Sequence, residues 1–369
     1  MVMAEVGREI RIAIAGVGNC ASSLLQGVNF YRSISKKSKP VPGLLNNVIG
    51  PYGPGDIKPV AAFDIDSRKV GRDVADAIFQ KPNNTVVFSR VAKTGVKVRR
   101  GPTLDGYPQH FRDYPEEIRF VESKLRPVDI VAALRRTKPD MLINYLPVGS
   151  DEASRFYADC CLAAGVSFVN AVPVFIASSP AYIKKFEERG LICAGDDIKS
   201  QVGATIVHRV LTNLFRSRGV VLRRTYQLNM GGNTDFLNML DRQRLRQKKI
   251  SKTEAVQSQL AKPLAKRNIH IGPSDFIEWL DDRKVCYLVM EGEQFGGVPM
   301  TLELKLNVED SPNSAGVMID VVRCVKLALD NGITGYLEAV SAFAFKHPRK
   351  QYTDTEAAKR LKQFITDLN

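Results

Sequence analysis

The chain has 369 residues, 44% of them hydrophobic and 25% charged, the proportions of a globular protein rather than a disordered or fibrous one. Its net charge of +14 raises nucleic acid as a partner. The basic clusters at 32–39, 97–100, 223–224 and 242–252 carry no interleaved aromatics and no nucleic-acid motif, so no nucleic acid is expected. No apolar run approaches the roughly 20 residues of a membrane span, and the opening MVMAEVGREI lacks the basic-then-apolar order of a secretory signal, so the expectation is cytoplasmic, with no membrane.

The first element is an apolar strand at 12–15 that runs into Gly16-Val17-Gly18-Asn19-Cys20-Ala21, followed by a helix at 22–30. This is a G-x-G-x-x-A dinucleotide turn. Gly16 permits the tight turn, Gly18 lets a pyrophosphate approach the backbone, and Ala21 lets the helix pack on the strand. The helix N-terminus, with Asn19 and Cys20, offers free N–H groups to phosphate. Residues 32–59 read as a basic, Pro/Gly-rich loop. A strand at 60–63 then ends in Asp64-Ile65-Asp66. Asp64 follows Gly16 by 48 residues, against about 20 in the usual fingerprint, so the loop between them is an excursion. A carboxylate there favours NAD over NADP, although Arg68 and Lys69 stand close by.

Helices are predicted at 69–79, 128–135, 151–164 and 180–189, and strands at 141–146, 167–170 and 191–194, with a loop-rich stretch at 82–111. The strands end in Pro147-Val148-Gly149-Ser150, in Ala171-Val172-Pro173, and in Gly195-Asp196-Asp197-Ile198-Lys199-Ser200. Alternating strands and helices imply an α/β fold with a Rossmann-like, doubly wound parallel sheet, whose strand ends hold ligand. Pro147, Ala171, Asp197 and Lys199 are therefore cofactor-side candidates.

Near residue 205 the pattern changes. A helix at 205–216 precedes strands at 220–230, 284–290 and 298–308, with a charged helix at 237–249. Met300, Leu302, Leu304, Leu306 and Val308 fall on one face. Strands without crossover helices imply an inserted α+β domain with a mixed or antiparallel sheet. Helices at 315–329 and 354–368 close the chain. The expected division is a NAD-binding domain at 1–204, a second, α+β domain at 205–309, and a segment at 310–369 that returns to the first. The six cysteines (Cys20, Cys160, Cys161, Cys193, Cys286 and Cys324) have no C-x-x-C spacing and are expected as free thiols.

No G-x-S-x-G, H-E-x-x-H or Walker lysine is present. What recurs is Asp and Lys at element ends: Asp196, Asp197 and Lys199; Asp235; Lys248, Lys249 and Lys252; Asp281, Asp282 and Lys284; Asp310; Lys346. Lysines gathered in one pocket would bind phosphate and stabilise an oxyanion or enolate, with aspartates orienting them or holding a cation.

GVGNCASSLLQG at 16–27, NYLPVGS at 144–150, GDDIKSQVGAT at 195–205, NMGGNTDFLNM at 229–239, KKISKTEAV at 248–256, WLDDRK at 279–284 and EDSPNSAGV at 309–317 together resemble the myo-inositol-1-phosphate synthases, in their shorter bacterial and archaeal branch. The resemblance implies a redox-neutral, NAD-dependent cyclisation of D-glucose 6-phosphate to 1L-myo-inositol 1-phosphate. The steps are C5 oxidation, enolate formation, intramolecular aldol closure and C5 reduction. It implies that Lys284 assists proton transfer at the C5 oxygen. Lys248 and Lys252 hold the phosphate or polarise the C1 aldehyde, and Lys346 lies near the reacting oxygens. Asp197, Asp235 and Asp310 orient lysines and hydroxyls. It implies that the second domain, at 205–309, is the catalytic and oligomerisation domain. It also implies a divalent or monovalent cation, with Asp310 and Ser311 as candidate ligands, and a homotetramer. The competing readings are a plain NAD-dependent dehydrogenase of a phosphorylated sugar or amino acid, and a nucleotide-sensing or nucleic-acid-binding regulator.

Overall fold

A computed structural model describes residues 8–369. In chain order its elements are β1 (Ile10–Ala15), α1 (Asn19–Phe30), β2 (Ile57–Asp64), α2 (Val74–Ala77), β3 (Val98–Arg100), α3 (Ile130–Thr137), β4 (Met141–Asn144), α4 (Asp151–Ala164), β5 (Ser167–Asn170), α5 (Pro180–Glu188), β6 (Ile192–Gly195), α6 (Ala204–Ser217), β7 (Val221–Gly231), α7 (Thr234–Asn238), α8 (Arg246–Gln257), β8 (Ile269–Phe276), β9 (Arg283–Glu293), β10 (Pro299–Glu309), α9 (Asp310–Asp330), β11 (Gly335–Tyr336), α10 (Glu338–Ala344) and α11 (Asp354–Asp367).

Seven strands form one parallel sheet in the order β11-β6-β5-β4-β1-β2-β3. The order reverses at β1, which places a crevice at the carboxyl ends of β1 and β4. Both faces are covered. Ile10, Ile12 and Ile14 pack into a core shared with α1 and α9, including Leu24, Met318 and Val322. Ala13 and Ala15, one residue out of phase, pack with Phe63, Leu134 and Tyr157 on the opposite side. That alternation is the two-residue period of a strand buried on both faces.

The second sheet has the order β10-β9-β7-β8. β10 and β7 run antiparallel to β9, and β7 runs parallel to β8, so the sheet is mixed. Its inner face carries Leu222, Cys286, Leu288 and Met290, backed by the Met300-to-Leu306 row of β10 and by α6. The chain then returns to the first sheet: α9 packs on α1, and β11 pairs with β6 at the sheet edge.

Two helices differ from expectation. At 69–79 only Val74–Ala77 is helical. Gly71 N donates to Val98 O, Val98 N to Arg72 O and Val74 N to Val96 O, so the segment pairs with β3 and its approach instead of coiling. At 237–249 the chain breaks between α7 and α8, because Asp241 accepts from Gln243 N and starts a new turn. All six cysteines are free. Among the described residues no helix is long and apolar enough to cross a membrane.

Candidate active site

The loops after β1, β2, β4, β5 and β6 open into one cavity that continues to α8, β9 and the start of α9. Gly16 has φ +92°, and a Cβ there would lie 2.5 Å from Tyr145 O, so the turn admits no side chain. Gly18 differs. It caps α1 with no side-chain hydrogen bond to the helix, and a Cβ would meet nothing within 4 Å. Gly18, Asn19 and Cys20 line the cavity, so uncapped N–H groups and the positive end of α1 border a space large enough for a phosphate. Ala21 is fully buried behind them and packs the helix on the sheet.

Asp64 lines the same cavity at the end of β2. Its carboxylate is fixed by Val17 N at 2.7 Å, Ile65 N at 2.7 Å and Asp66 N at 2.8 Å. The neighbouring cations are engaged elsewhere. Arg68 donates to Asp66 and to the carbonyls of Glu116 and Arg119. Lys69 Nζ donates to Val17 O at 2.9 Å and Asn83 Oδ1 at 2.8 Å. A 2′-phosphate would meet the Asp64 carboxylate with no guanidinium to offset it. The uncapped helix end, the open space over Gly18 and the fixed Asp64 fit NAD. Pro147 and Ala171 line the wall between these features and the far end.

That far end holds four lysines. Lys248 and Lys252 lie four apart on α8, on one face, and both are buried. Lys248 Nζ donates to Asp235 Oδ2 at 2.7 Å, Lys284 Nζ to Asp310 Oδ1 at 3.1 Å, and Lys346 Nζ to Asp197 Oδ1 at 2.8 Å and Ile198 O at 2.7 Å. Among the described residues no carboxylate lies within salt-bridge range of Lys252. Burial, and then repulsion from Lys284, Lys248 and Lys346, hold its ammonium well below the usual lysine range. Lys346 is also lowered, by burial against the pull of Asp197. At Lys284 burial acts the same way, but Asp310 outweighs it and the ammonium is held above its ordinary value. Asp197 and Asp310 are held below theirs: burial opposes this, but Lys346 and Lys248 at the one, and Lys284 at the other, prevail.

The fold aims these groups with buried polar ties. Asp197 has φ +65°, a costly conformation for a residue with a Cβ. Its own N–H on Val172 O, Lys346 N on its carbonyl, and Ser251 Oγ on its Oδ2 at 2.6 Å hold it there. Buried Asp282 accepts from Asn19 Nδ2, Asn233 Nδ2 and both N and Oγ of Ser311. It thereby ties the glycine turn to β9, α7 and α9. The sequence offers Asp282 only among the element-end aspartates, with no role of its own, and does not offer Ser251. Ser251 sits inside the KKISK helix at the spacing that faces the lysines, which was a usable signal. Tyr145 Oη is a third: it is buried, without a partner, in a residue that lines the cavity.

Lys199 is not brought to the cavity. Its Nζ donates to Ala342 O at 2.9 Å and lies 3.6 Å from Asp354 Oδ1. The pairing of Ile198 with Phe345, and of Lys199 N with Ala344 O, turns the side chain to the far side. Burial, then Arg209, lowers it to about 7. Asp310 and Ser311 are engaged by Lys284 and Asp282, and among the described residues no group of three His, Cys, Asp or Glu could hold a metal ion. These side chains do not by themselves fit a cation, and no step is derived through one.

Comparison with known proteins decides the family. The inositol-3-phosphate synthase of Mycolicibacterium smegmatis is 55% identical over 367 residues, covering 98% of this chain and 99% of that one. The chain belongs to the myo-inositol-1-phosphate synthase family. The family's sequence model, described as myo-inositol-1-phosphate synthase, matches residues 203–311, the span that carries Asp235, Lys248, Lys252, Lys284 and Asp310. The inositol-3-phosphate synthase of Corynebacterium glutamicum is 54% identical, covering 97% of this chain and 98% of its own. Among solved structures, a myo-inositol-1-phosphate synthase-related protein from Thermotoga maritima superposes with a TM-score of 0.80 at 25% identity, covering 97% of this chain and 98% of that one.

Proposed function

We propose that this chain is an inositol-3-phosphate synthase that cyclises D-glucose 6-phosphate to 1L-myo-inositol 1-phosphate. One observation carries the proposal: a single cavity has a dinucleotide turn at one end and four lysines, three of them paired with carboxylates, at the other. A dehydrogenase needs one acid–base group beside its cofactor. Four gathered cations suit a reaction that also stabilises an enolate and an alkoxide.

On this reading Gly16, Gly18 and the N–H groups of Asn19 and Cys20 receive a pyrophosphate, and Asp64 accepts from the adenosine ribose hydroxyls. NAD, when bound, supplies reversible hydride transfer at C5 of the open-chain sugar phosphate. Lys284, kept charged by Asp310, holds the C5 oxygen and takes its hydroxyl proton as it passes one of its own to Asp310. Once C5 is a carbonyl, the C6 proton is acidic and passes to the amine form of Lys252, whose ammonium burial and the neighbouring cations disfavour; the C6–C1 bond forms as the C1 carbonyl π bond opens, and the C1 oxygen takes the proton back from that lysine. Lys346, held by Asp197, faces the oxygens that gain charge. Lys248 and Lys252 bind the phosphate or polarise the aldehyde. C5 is oxidised and then reduced again, so the sum is an isomerisation.

The division into a NAD-binding part at 1–204, a catalytic part at 205–309 and a returning segment at 310–369 is part of the same proposal, as is a cytoplasmic homotetramer built through the second sheet. The outward-facing, exposed Val221, Tyr226 and Tyr287 of that sheet support the assembly. Lys284→Ala and Asp197→Asn are the test. Each is expected to lower turnover by about 10²–10³-fold while leaving NAD binding intact. Loss of NAD binding in both would remove them from the substrate end.

A further inference from the structure

A second cavity, of about 490 Å³, lies away from the active site along β3, the edge strand of the first sheet, and no residue lines both. Val60, Ala61 and Val98 contribute apolar surface from β2 and β3. Lys97, Arg99, Arg100 and Arg126 are its charged groups, and no Asp or Glu lines it. Arg100 is satisfied by Glu122 and Thr103. Among the described residues no hydrogen bond or ion pair engages the side chains of Lys97, Arg99 or Arg126. The Nη1 of Arg99 is buried and has no partner at all.

A buried guanidinium N–H without an acceptor is unfavourable, and native proteins rarely leave one so. Arg99 is also disfavoured as a cation. Burial lowers it first, and Arg136 of α3, another cation, lowers it further, with no acid acting to offset them. Lys97 and Arg126 are exposed and flexible enough to close on the same ligand. An oxyanion would satisfy all three at once, and the planar fork of arginine matches phosphate oxygens in pairs. The general excess of basic surface explains exposed lysines and arginines, but not a half-buried guanidinium whose Nη1 is shut off from any acceptor beside a second cation.

We propose that this groove is a binding site for a phosphate-bearing small molecule, with Arg99 as its anchor and Lys97 and Arg126 as its rim. The site stands apart from the reaction assigned above and does not depend on it.

The test is equilibrium dialysis with radiolabelled inorganic phosphate, in a Lys248→Gln/Lys252→Gln background that weakens anion binding at the lysine-lined cavity. One class of phosphate site is expected to persist there. Adding Arg99→Gln, or the exposed Arg126→Gln separately, is expected to weaken that class about tenfold each, with melting temperature unchanged. Competition by adenosine monophosphate identifies the source. Displacement of the label below the equivalent phosphate concentration supports an ester whose body lies on the Val60–Val98 floor, and displacement only by phosphate supports the free ion. Phosphate binding indifferent to both arginine variants, or absent once Lys248 and Lys252 are changed, would overturn the proposal.

Discussion

Gly16 and Gly18, two residues apart, meet different surroundings: the first faces backbone, the second faces the cavity. A side chain at Gly16 would enter the Tyr145 carbonyl, in a left-handed backbone position. A side chain at Gly18 would enter only the cavity. Gly16→Ala is therefore expected to destabilise the fold by at least about 1–3 kcal/mol, read as a lowered denaturant midpoint. Gly18→Val should keep the wild-type midpoint and lose NAD binding, and a loss of midpoint equal to that of Gly16→Ala would refute the distinction. Both glycines were readable from sequence, because the strand–turn–helix motif assigns each a steric task. From spacing alone the lysines were readable only as residue types, and it was the family resemblance that gathered them. Spacing places Lys248 and Lys252 on one helical face, but nothing local brings Lys284 of β9 or Lys346 beyond α10 beside them. Lys199 shows the converse, a lysine in the right motif that strand pairing turns away. Lys252, lacking a carboxylate, gives a further prediction. Its depressed proton affinity should rise when a phosphate dianion offsets the neighbouring cations. Calorimetric titration with glucose 6-phosphate at successive pH values, in buffers of different ionisation enthalpy, should then report proton uptake over the range in which Lys252 titrates in the free enzyme, lost in Lys252→Gln. Equal uptake in that variant would place the proton elsewhere.

Elements that bury their own pattern were legible, and elements defined by distant partners were not. α4 is found at its expected bounds because its apolar face and its Gly165 stop are local. β3 and β8 were missed. β3 is three residues long, and β8 carries a Gly-Pro pair, but it is fixed by parallel pairing with β7. The helix expected at 69–79 yielded to cross-chain hydrogen bonds from Gly71, Arg72 and Val74. The junction of α6 and β7 carries a pH prediction. His208 of α6 is fully buried, with its two ring nitrogens on Gln227 Oε1 and Thr225 Oγ1. Burial lowers it from 6.5 to about 4. As pH falls below 6.5 the unfolded chain takes up this proton and the folded chain does not until about pH 4, so stability is lost as pH falls through that window. The contribution is about 3 kcal/mol. His208→Gln should flatten the decline in unfolding free energy between those limits, measured by urea titration at successive pH values. An unchanged slope would assign the acid sensitivity to other groups.

At the scale of the whole molecule, the +14 charge has two structural expressions: the lysine cluster facing the glycine turn, and the unpaired cations along β3. Neither needs a polyanion. On the proposed function the first gives the chain its chemistry. The mixed sheet carries Lys284 on β9, and the return of α9 to α1 sets Asp310 and Ser311 over the N-terminus of α1, where Asp282 and Asn19 join the two sheets. A cofactor bound at that junction faces the lysines that would hold the sugar phosphate, and one dinucleotide can serve both the oxidation and the return reduction. The most direct test is to incubate the purified protein with glucose 6-phosphate and NAD⁺ at far less than one equivalent of substrate, following inositol phosphate and NADH absorbance together. The account predicts many turnovers of inositol phosphate per NAD⁺ with no accumulating NADH. NADH formed in step with substrate consumed, without inositol phosphate, would contradict it.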